Sequence, residues 1–262
     1  MALRTSRGQV GRPLLGVAVF VGALVIWEVL ARHAGSFLVP PASEVLDRAW
    51  HIWPTRDFLA DVAASLSRLA VGFAIGAGVG IAIGLLMGSS LATRRALDPF
   101  VELARATPPI AIVPALIVVL GVGQGMQIAV IAFGVCFPVL VNTVEGVRAV
   151  SPEARDTASM LHVGRTERVY RIYFPAALPS IVAGLRIAVS IGLVLVVVSE
   201  FVGTGDGLGS YIWALRGQFL YPEMYAAILF LGLLGYTLNR LFLVAERRLL
   251  AWHYGAAGDS AR

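Results

Sequence analysis

The chain has no lysine. All 21 basic positions among its 262 residues are arginine, so the lysine that a Walker A loop extends to nucleotide phosphates is missing. ATP hydrolysis by the usual P-loop route is excluded. Charge of either sign is scarce: charged residues make up 14% of the chain, 58% is hydrophobic, and mean hydropathy is +0.80. Soluble domains carry about a quarter charged residues, so this balance excludes a soluble fold and indicates an integral membrane protein. The one cysteine, Cys136, lies inside an apolar run and excludes both an intramolecular disulfide and a cysteine-based metal site. The four histidines, His33, His51, His162 and His253, are scattered with no two at ligand spacing, and neither HExxH nor GxSxG occurs. No enzyme, metal or cofactor is therefore expected. The basic excess, a formal net charge of +5, reads as membrane topology rather than nucleic-acid affinity, because the arginines flank apolar runs instead of clustering with aromatics.

What is present predicts an all-α, polytopic fold with six transmembrane helices, over about 14–31, 69–87, 100–120, 126–144, 181–202 and 224–244. Arg4, Arg7 and Arg12 ahead of the first run resemble a signal-peptide start, but the run has the length of a span and no small-x-small site follows, so a retained span is expected. Between 32 and 66, Pro40, Pro41 and Pro54 punctuate two short amphipathic pieces, SEVLDRAWHIW and DFLADVAASL, with Trp50 and Trp53 typical of a membrane–water boundary. That stretch suits either a landing surface for a binding protein or, the preferred reading, interfacial packing. The second span carries glycines at 72, 76, 80, 84 and 88, one continuous helical ridge that lets another helix approach closely, in this subunit or in a second copy. In the third, Glu102 and Arg105 share a face and Pro108, Pro109 and Pro114 interrupt the helix. Charge and broken helix at membrane depth are tolerated only against protein or a water-filled cavity. Glu102 and Arg105, with Asn142 in the fourth span and Arg186 and Glu200 in the fifth, are thus the candidate residues of a translocation path. Under this six-span scheme thirteen arginines fall on one side and four, Arg32, Arg48, Arg56 and Arg216, on the other. The bias predicts both termini in the cytoplasm.

The longest charged segment, SPEARDTASMLHVGRTERVYRIYFPAALP at 151–179, lies between two apolar runs on the arginine-rich side. Ser151 followed by Pro152 reads as an N-cap with proline at the first helical position, and Glu153 and Asp156 suit the first turns. Gly164 is expected to stop this short helix, ERVYRIYF to form a second piece, and Pro175 to prevent its smooth continuation into the fifth span.

This segment resembles the cytoplasmic signature of ABC-importer permeases, E-A-A, three residues, G, nine residues, I-x-L-P. Asp156-Thr157-Ala158 stands for E-A-A, His162 for the glycine, and Ile172-Tyr173-Phe174-Pro175 for I-x-L-P. SLSRLAVGFAIGAGVGIAIGLLMG, DPFVELARATPPIAIVPALIV, FPVLVNTVEGVR and PAALPSIVAGLRIAV are similar to the nitrate/sulfonate/taurine branch, so that the resemblance spans about 40–252. It implies a type I importer permease with a cytoplasmic N-terminus at 1–13, a permease domain at 14–252 with its coupling loop at 146–179, and a tail at 253–262. It further implies a coupling role for Asp156, Thr157, Ala158, His162, Gly164, Ile172, Phe174 and Pro175, which would dock on a separate ABC ATPase. An extracytoplasmic solute-binding protein and a second copy of the chain are the other implied partners, and the implied solute is a small anion carried across a prokaryotic cytoplasmic membrane. Two other classes compete. An ion-coupled secondary transporter would use Arg186 and Glu200 as a proton relay, yet no inverted repeat is visible. A membrane-embedded enzyme built on Glu102 and Arg105 lacks an accompanying nucleophile.

Overall fold

The structure, a computed structural model, describes residues 11–203 and 205–250, with side chains from Gly16 onward. Arg4 and Arg7, residues 1–10 of the segment expected at 1–13, and the tail expected at 253–262 lie outside the described residues. The described residues form helices and short connections with no strand. In chain order the helices are α1 (Gly11–Ala34), α2 (Ala42–Ile52), α3 (Arg56–Ser89), α4 (Leu91–Ala106), a 3-10 turn (Pro109–Ile112), α5 (Val113–Leu120), α6 (Gln124–Arg148), α7 (Pro152–Met160), α8 (Arg165–Arg168), a π turn (Val169–Tyr173), α9 (Phe174–Glu200), α10 (Leu208–Gly217) and α11 (Tyr221–Leu249). Among the described residues five helices are long and apolar enough to cross a membrane, and the count reaches six if α4 and the segment Pro109–Leu120 are one broken span.

The chain forms two compact units. Among the described residues the first comprises 11–59 and 212–230. Within it Glu28 of α1 accepts hydrogen bonds from the backbone N–H and the hydroxyl of Ser43 (3.0 and 2.9 Å) and pairs with Arg32 (2.6 Å), which fastens the start of α2 to α1. Trp53 donates its indole N–H to the Ala226 carbonyl (3.2 Å) and meets the Phe230 ring edge-on. Trp53 is thus a packing residue, whereas Trp50 is 81% exposed. The amphipathic piece expected at DFLADVAASL is not separate, because α3 runs unbroken for 34 residues and carries it into the second span. Pro54 ends the preceding turn and nothing after it interrupts helical bonding.

The second unit, 60–203, 205–211 and 231–250 among the described residues, is built around α6. The glycine ridge meets this helix in the same chain. A Cβ on Gly72 would lie 2.7 Å from the Ile131 side chain, one on Gly80 would lie 2.6 Å from the Cys136 carbonyl oxygen, and those on Gly84 and Gly88 would lie 2.6 Å from Thr143 and Val147. Gly76 sits against the Ala132 carbonyl. Rising numbers on α3 face rising numbers on α6, so these two helices run parallel. On its other flank α6 meets α9 antiparallel, Gly146 lying against Ala177 and Ser180 and Gly184 against Pro138 and Asn142. A buried apolar cluster that includes Leu69, Val130, Ile131, Val135, Val139, Ala188 and Val196 fills the space among the three.

Two parallel neighbours require the chain between them to travel back along the bundle, and α4 with α5 does so only brokenly. The two pieces meet at 91°. The residue before a proline is disfavoured in the helical region, and here Thr107 has ψ 120° before Pro108 and Pro108 has ψ 128° before Pro109. The third span expected as 100–120 is thus a bent pair: Glu102 and Arg105 belong to α4, and the apolar piece Pro109–Leu120 reaches about 20 Å against a hydrocarbon core of about 30 Å.

The ridge gives a direct test. Gly80→Leu pushes a side chain into the α6 backbone, which cannot rotate away, and overpacking costs about 1–3 kcal/mol or more; the yield of folded chain in detergent should fall sharply. Gly78→Leu, at an exposed position with nothing within 4 Å, should leave the yield unchanged. Equal behaviour of the two variants in size-exclusion chromatography contradicts the packing.

Candidate coupling surface and translocation path

Local sequence explains the shape of α7. The Ser151 hydroxyl accepts the Ala154 N–H (3.3 Å) and Pro152 occupies the first turn, where its missing donor costs nothing. At the other end Val163 N–H reaches the Ala158 carbonyl (3.0 Å) and His162 N–H the Ser159 carbonyl (3.1 Å), the double bond of a Schellman stop. His162 takes the left-handed conformation, φ 53°, that such a stop demands. Gly164, expected as the terminator, is instead extended and starts the next helix. The residue that stands in place of the signature's glycine is therefore the one whose backbone calls for glycine.

The helix has two faces. Ala158 is buried, and Arg155 turns back to donate to the Val147 and Arg148 carbonyls (2.9 and 3.1 Å), which ties α7 to the end of α6. Asp156 and Thr157 are exposed, and Asp156 meets no cation among the described residues. Next to them Met160 and Leu161 are 78% and 73% exposed, an apolar edge on an otherwise polar loop.

Beyond Gly164 the structure corrects the expected proline bend. Residues Arg165–Glu200 form a single 36-residue helix. The π turn Val169–Tyr173 directly precedes Pro175 and widens the helix where the proline ring would press on the preceding turn, so helical structure continues through Pro175. Ile172, Tyr173 and Phe174 pack with Val147, Val150, Ala177 and Ile181, which joins this helix to the end of α6.

The five candidate path residues occupy separate surroundings. Glu102 and Arg105 are exposed in a cleft of ≈ 140 Å³, shared with the Arg94–Asp98 pair (3.2 Å) and Glu145. Asn142 donates to the Pro138 carbonyl (2.8 Å) and lies against Gly184. Arg186 pairs with Glu246 at 3.7 Å. Glu200 is 1% exposed and its partner is Arg68, also 1% exposed, at 2.8 Å. Around this pair, Ser65 donates to the Glu200 carboxylate (2.7 and 2.9 Å), Gly209 N–H does the same (2.8 Å), and Asp206 approaches the far side of Arg68 (2.6 Å). Gly207, at φ +102°, donates its N–H to Asp61 (2.7 Å), and a Cβ there would collide with the Glu200 carboxylate. Sequence reading singled out Glu200 but missed Arg68, Ser65 and Asp206. An arginine at the edge of the second span was the available signal, since such a charge needs a buried partner.

Two outcomes follow. His162→Gly should relieve the left-handed strain and raise stability by about 1 kcal/mol, and His162→Val should lower it, both read as a change in Tm of the purified chain; a fall with glycine contradicts the cap. Glu200→Gln leaves Arg68 buried without its full counter-charge and should cost roughly 3–5 kcal/mol, read as a large loss of Tm. An unchanged Tm means the pair is dispensable.

The sequence profile of the family described as the binding-protein-dependent transport system inner membrane component matches residues 76–251. The nitrate import permease protein NrtB of Synechocystis sp. is 32% identical over 247 residues, 91% of this chain and 88% of that protein. The bicarbonate transport system permease protein CmpB of Synechococcus elongatus is 30% identical over 259 residues, 95% of this chain and 93% of that one. Among solved structures, a chain from a bacterial ABC transporter involved in the import of the acidic polysaccharide alginate shares the fold, with a TM-score of 0.66 at 14% identity over 92% of this chain and 97% of that chain. The matched stretch takes in most of the glycine ridge, α7 and the long helix behind it, and the chain belongs to the family of binding-protein-dependent transport system inner membrane components, the multi-pass permease subunits of ABC importers.

Proposed function

We propose that this permease imports a small anion of the nitrate, sulfonate, taurine or bicarbonate class, that it works as a pair of copies with an ATPase and a solute-binding protein, and that both termini face the cytoplasm. The names of the relatives support the solute class, and the arginine bias supports the orientation. The observation that carries the coupling role is α7 itself, whose unpaired Asp156 and exposed Met160 and Leu161 project from a helix pinned on its other face by Arg155. An exposed acid with an apolar edge and no partner among the described residues suits a protein interface. In this reading the ATPase receives α7 on its exposed Asp156 and Thr157, while Ala158 seats the helix against its own chain and His162 caps it. Gly164, Ile172, Phe174 and Pro175 connect it to the membrane.

Movement then passes through a rigid element. The helix Arg165–Glu200 is about 54 Å long and unbroken, so a shift at α7 reaches the Arg68–Glu200 cluster as displacement of a lever and not through a flexing proline. The competing reading as an ion-coupled secondary transporter loses its relay, because Arg186 and Glu200 each have their own partner, Glu246 and Arg68.

Truncating one partner of a desolvated interfacial pair costs roughly 2–5 kcal/mol, while an exposed acid contributes at most about 1 kcal/mol to folding. Asp156→Ala should therefore insert normally, bind the ATPase subunit weakly and lose most transport, and Asp156→Glu should retain both. Copurification of a tagged variant with the ATPase, measured beside solute uptake in cells, reads the outcome. Normal ATPase retention and uptake by Asp156→Ala overturns the coupling role.

A further inference from the structure

A cavity of ≈ 500 Å³ opens between the end of α3 and the α8 turn, and its chemistry belongs to none of the roles above. Arg165 and Arg168 contribute two guanidinium groups to its wall, and none of the residues that line it is acidic. The one nearby carboxylate in sequence, Glu167, is engaged with Arg171 at 3.2 Å. Arg168 is held by the Val163 carbonyl (3.3 Å) through one terminal nitrogen, while its Nε is buried with no partner. A half-buried cation with an unmet donor and no counter-charge is costly unless an anion supplies both.

The remaining wall donates as well. Ser90 caps α4 by accepting the Thr93 N–H (3.2 Å), which leaves its own O–H available, and it brings the positive end of that 16-residue helix to the cavity. Thr166 adds a second hydroxyl. Donors from two arginines, two hydroxyls and a helix N-terminus call for a ligand with several acceptor oxygens on one centre, and arginine forks match a phosphate. The apolar side chains of Leu86 and Tyr170 border the same cavity and are exposed. The cavity lies where an apolar span ends among arginines, the level at which lipid headgroups sit.

We propose that this cavity binds a phosphate group, and that in the membrane the phosphate is that of an anionic phospholipid in the cytoplasmic leaflet. The proposal rests on the orientation given above, not on the coupling role of α7. Its effect would be to hold the Arg165–Glu200 helix to the headgroup layer close to where α7 departs.

The test is native mass spectrometry of the purified full chain in detergent with phosphatidylglycerol or phosphatidylcholine of identical acyl chains, with and without inorganic phosphate. Phosphatidylglycerol should bind at least about tenfold more tightly than phosphatidylcholine, and the combined variant Arg165→Gln/Arg168→Gln should lose that preference, as expected for removing charge-assisted hydrogen bonds. Arg171→Gln, whose partner is Glu167, should keep it. Should the combined variant fail to fold, Arg165→Gln alone, at an exposed position, should still lower the preference several-fold. If millimolar phosphate displaces phosphatidylglycerol and protects the chain as well by itself, the phosphate chemistry stands and its source is a soluble ion; if phosphate has no effect, the source is lipid. Equal binding of both lipids with no effect of phosphate, or a combined variant that keeps the wild-type preference, overturns the proposal. No ATPase is present in these samples, so such a failure leaves the import reading untouched.

Discussion

The close approach of α3 to α6 is the contact on which the rest of the structure depends. Lipid provides almost no hydrophobic drive between helices, so association rests on van der Waals contact at short range. Five glycines at four-residue spacing allow the backbones to touch, as the Gly76–Ala132 and Gly80–Cys136 contacts show. The two helices are parallel, and that direction constrains everything between them. The chain must return along the bundle within residues 90–123, and it does so through an amphipathic α4, a proline break and a short α5. The irregular third segment is thus a consequence of the ridge together with the Pro108–Pro109 pair.

A second constraint joins α3 to the end of α9. Burying Arg68 and Glu200 would cost several kcal/mol per ion if either were left alone. The cost is offset by mutual pairing and by donors from Ser65 and Gly209. Because the network also takes in Asp206 and Gly207, it fixes the connection between α9 and α10 to the body of α3. The unbroken helix that ends in Glu200 begins at Arg165, beside α7. One continuous helix thus joins the exposed loop to a buried ionic cluster.

Much of this was legible in the sequence, for reasons that differ by residue. Apolar runs with arginine flanks gave the spans, and Ser151-Pro152 gave the start of α7, because both signals are local. The ridge on α3 was visible as spacing, but its partner was not, since Ile131, Cys136 and Val147 become neighbours only through tertiary packing. The stop of α7 was placed two residues late: glycine is the usual left-handed residue, and His162 accepts that conformation only because the Schellman bonds at Ala158 and Ser159 hold it. Pro175 was read as a bend because sequence shows the missing donor but not the π turn that absorbs it. Glu200 was flagged for its charge at depth. Arg68, 132 residues away in sequence, was invisible as its partner because ion pairing across helices leaves no periodic trace.

Transport by this chain requires energy that the chain itself does not capture, and reconstitution into proteoliposomes tests that claim most directly. ATP hydrolysis and solute uptake are measured together, for the chain alone and for the chain with its ATPase and binding protein. The account predicts neither activity from the chain alone, with hydrolysis and uptake arising together once the partners are added. Robust hydrolysis by the isolated chain, or uptake driven by an ion gradient in the absence of the ATPase, would contradict it.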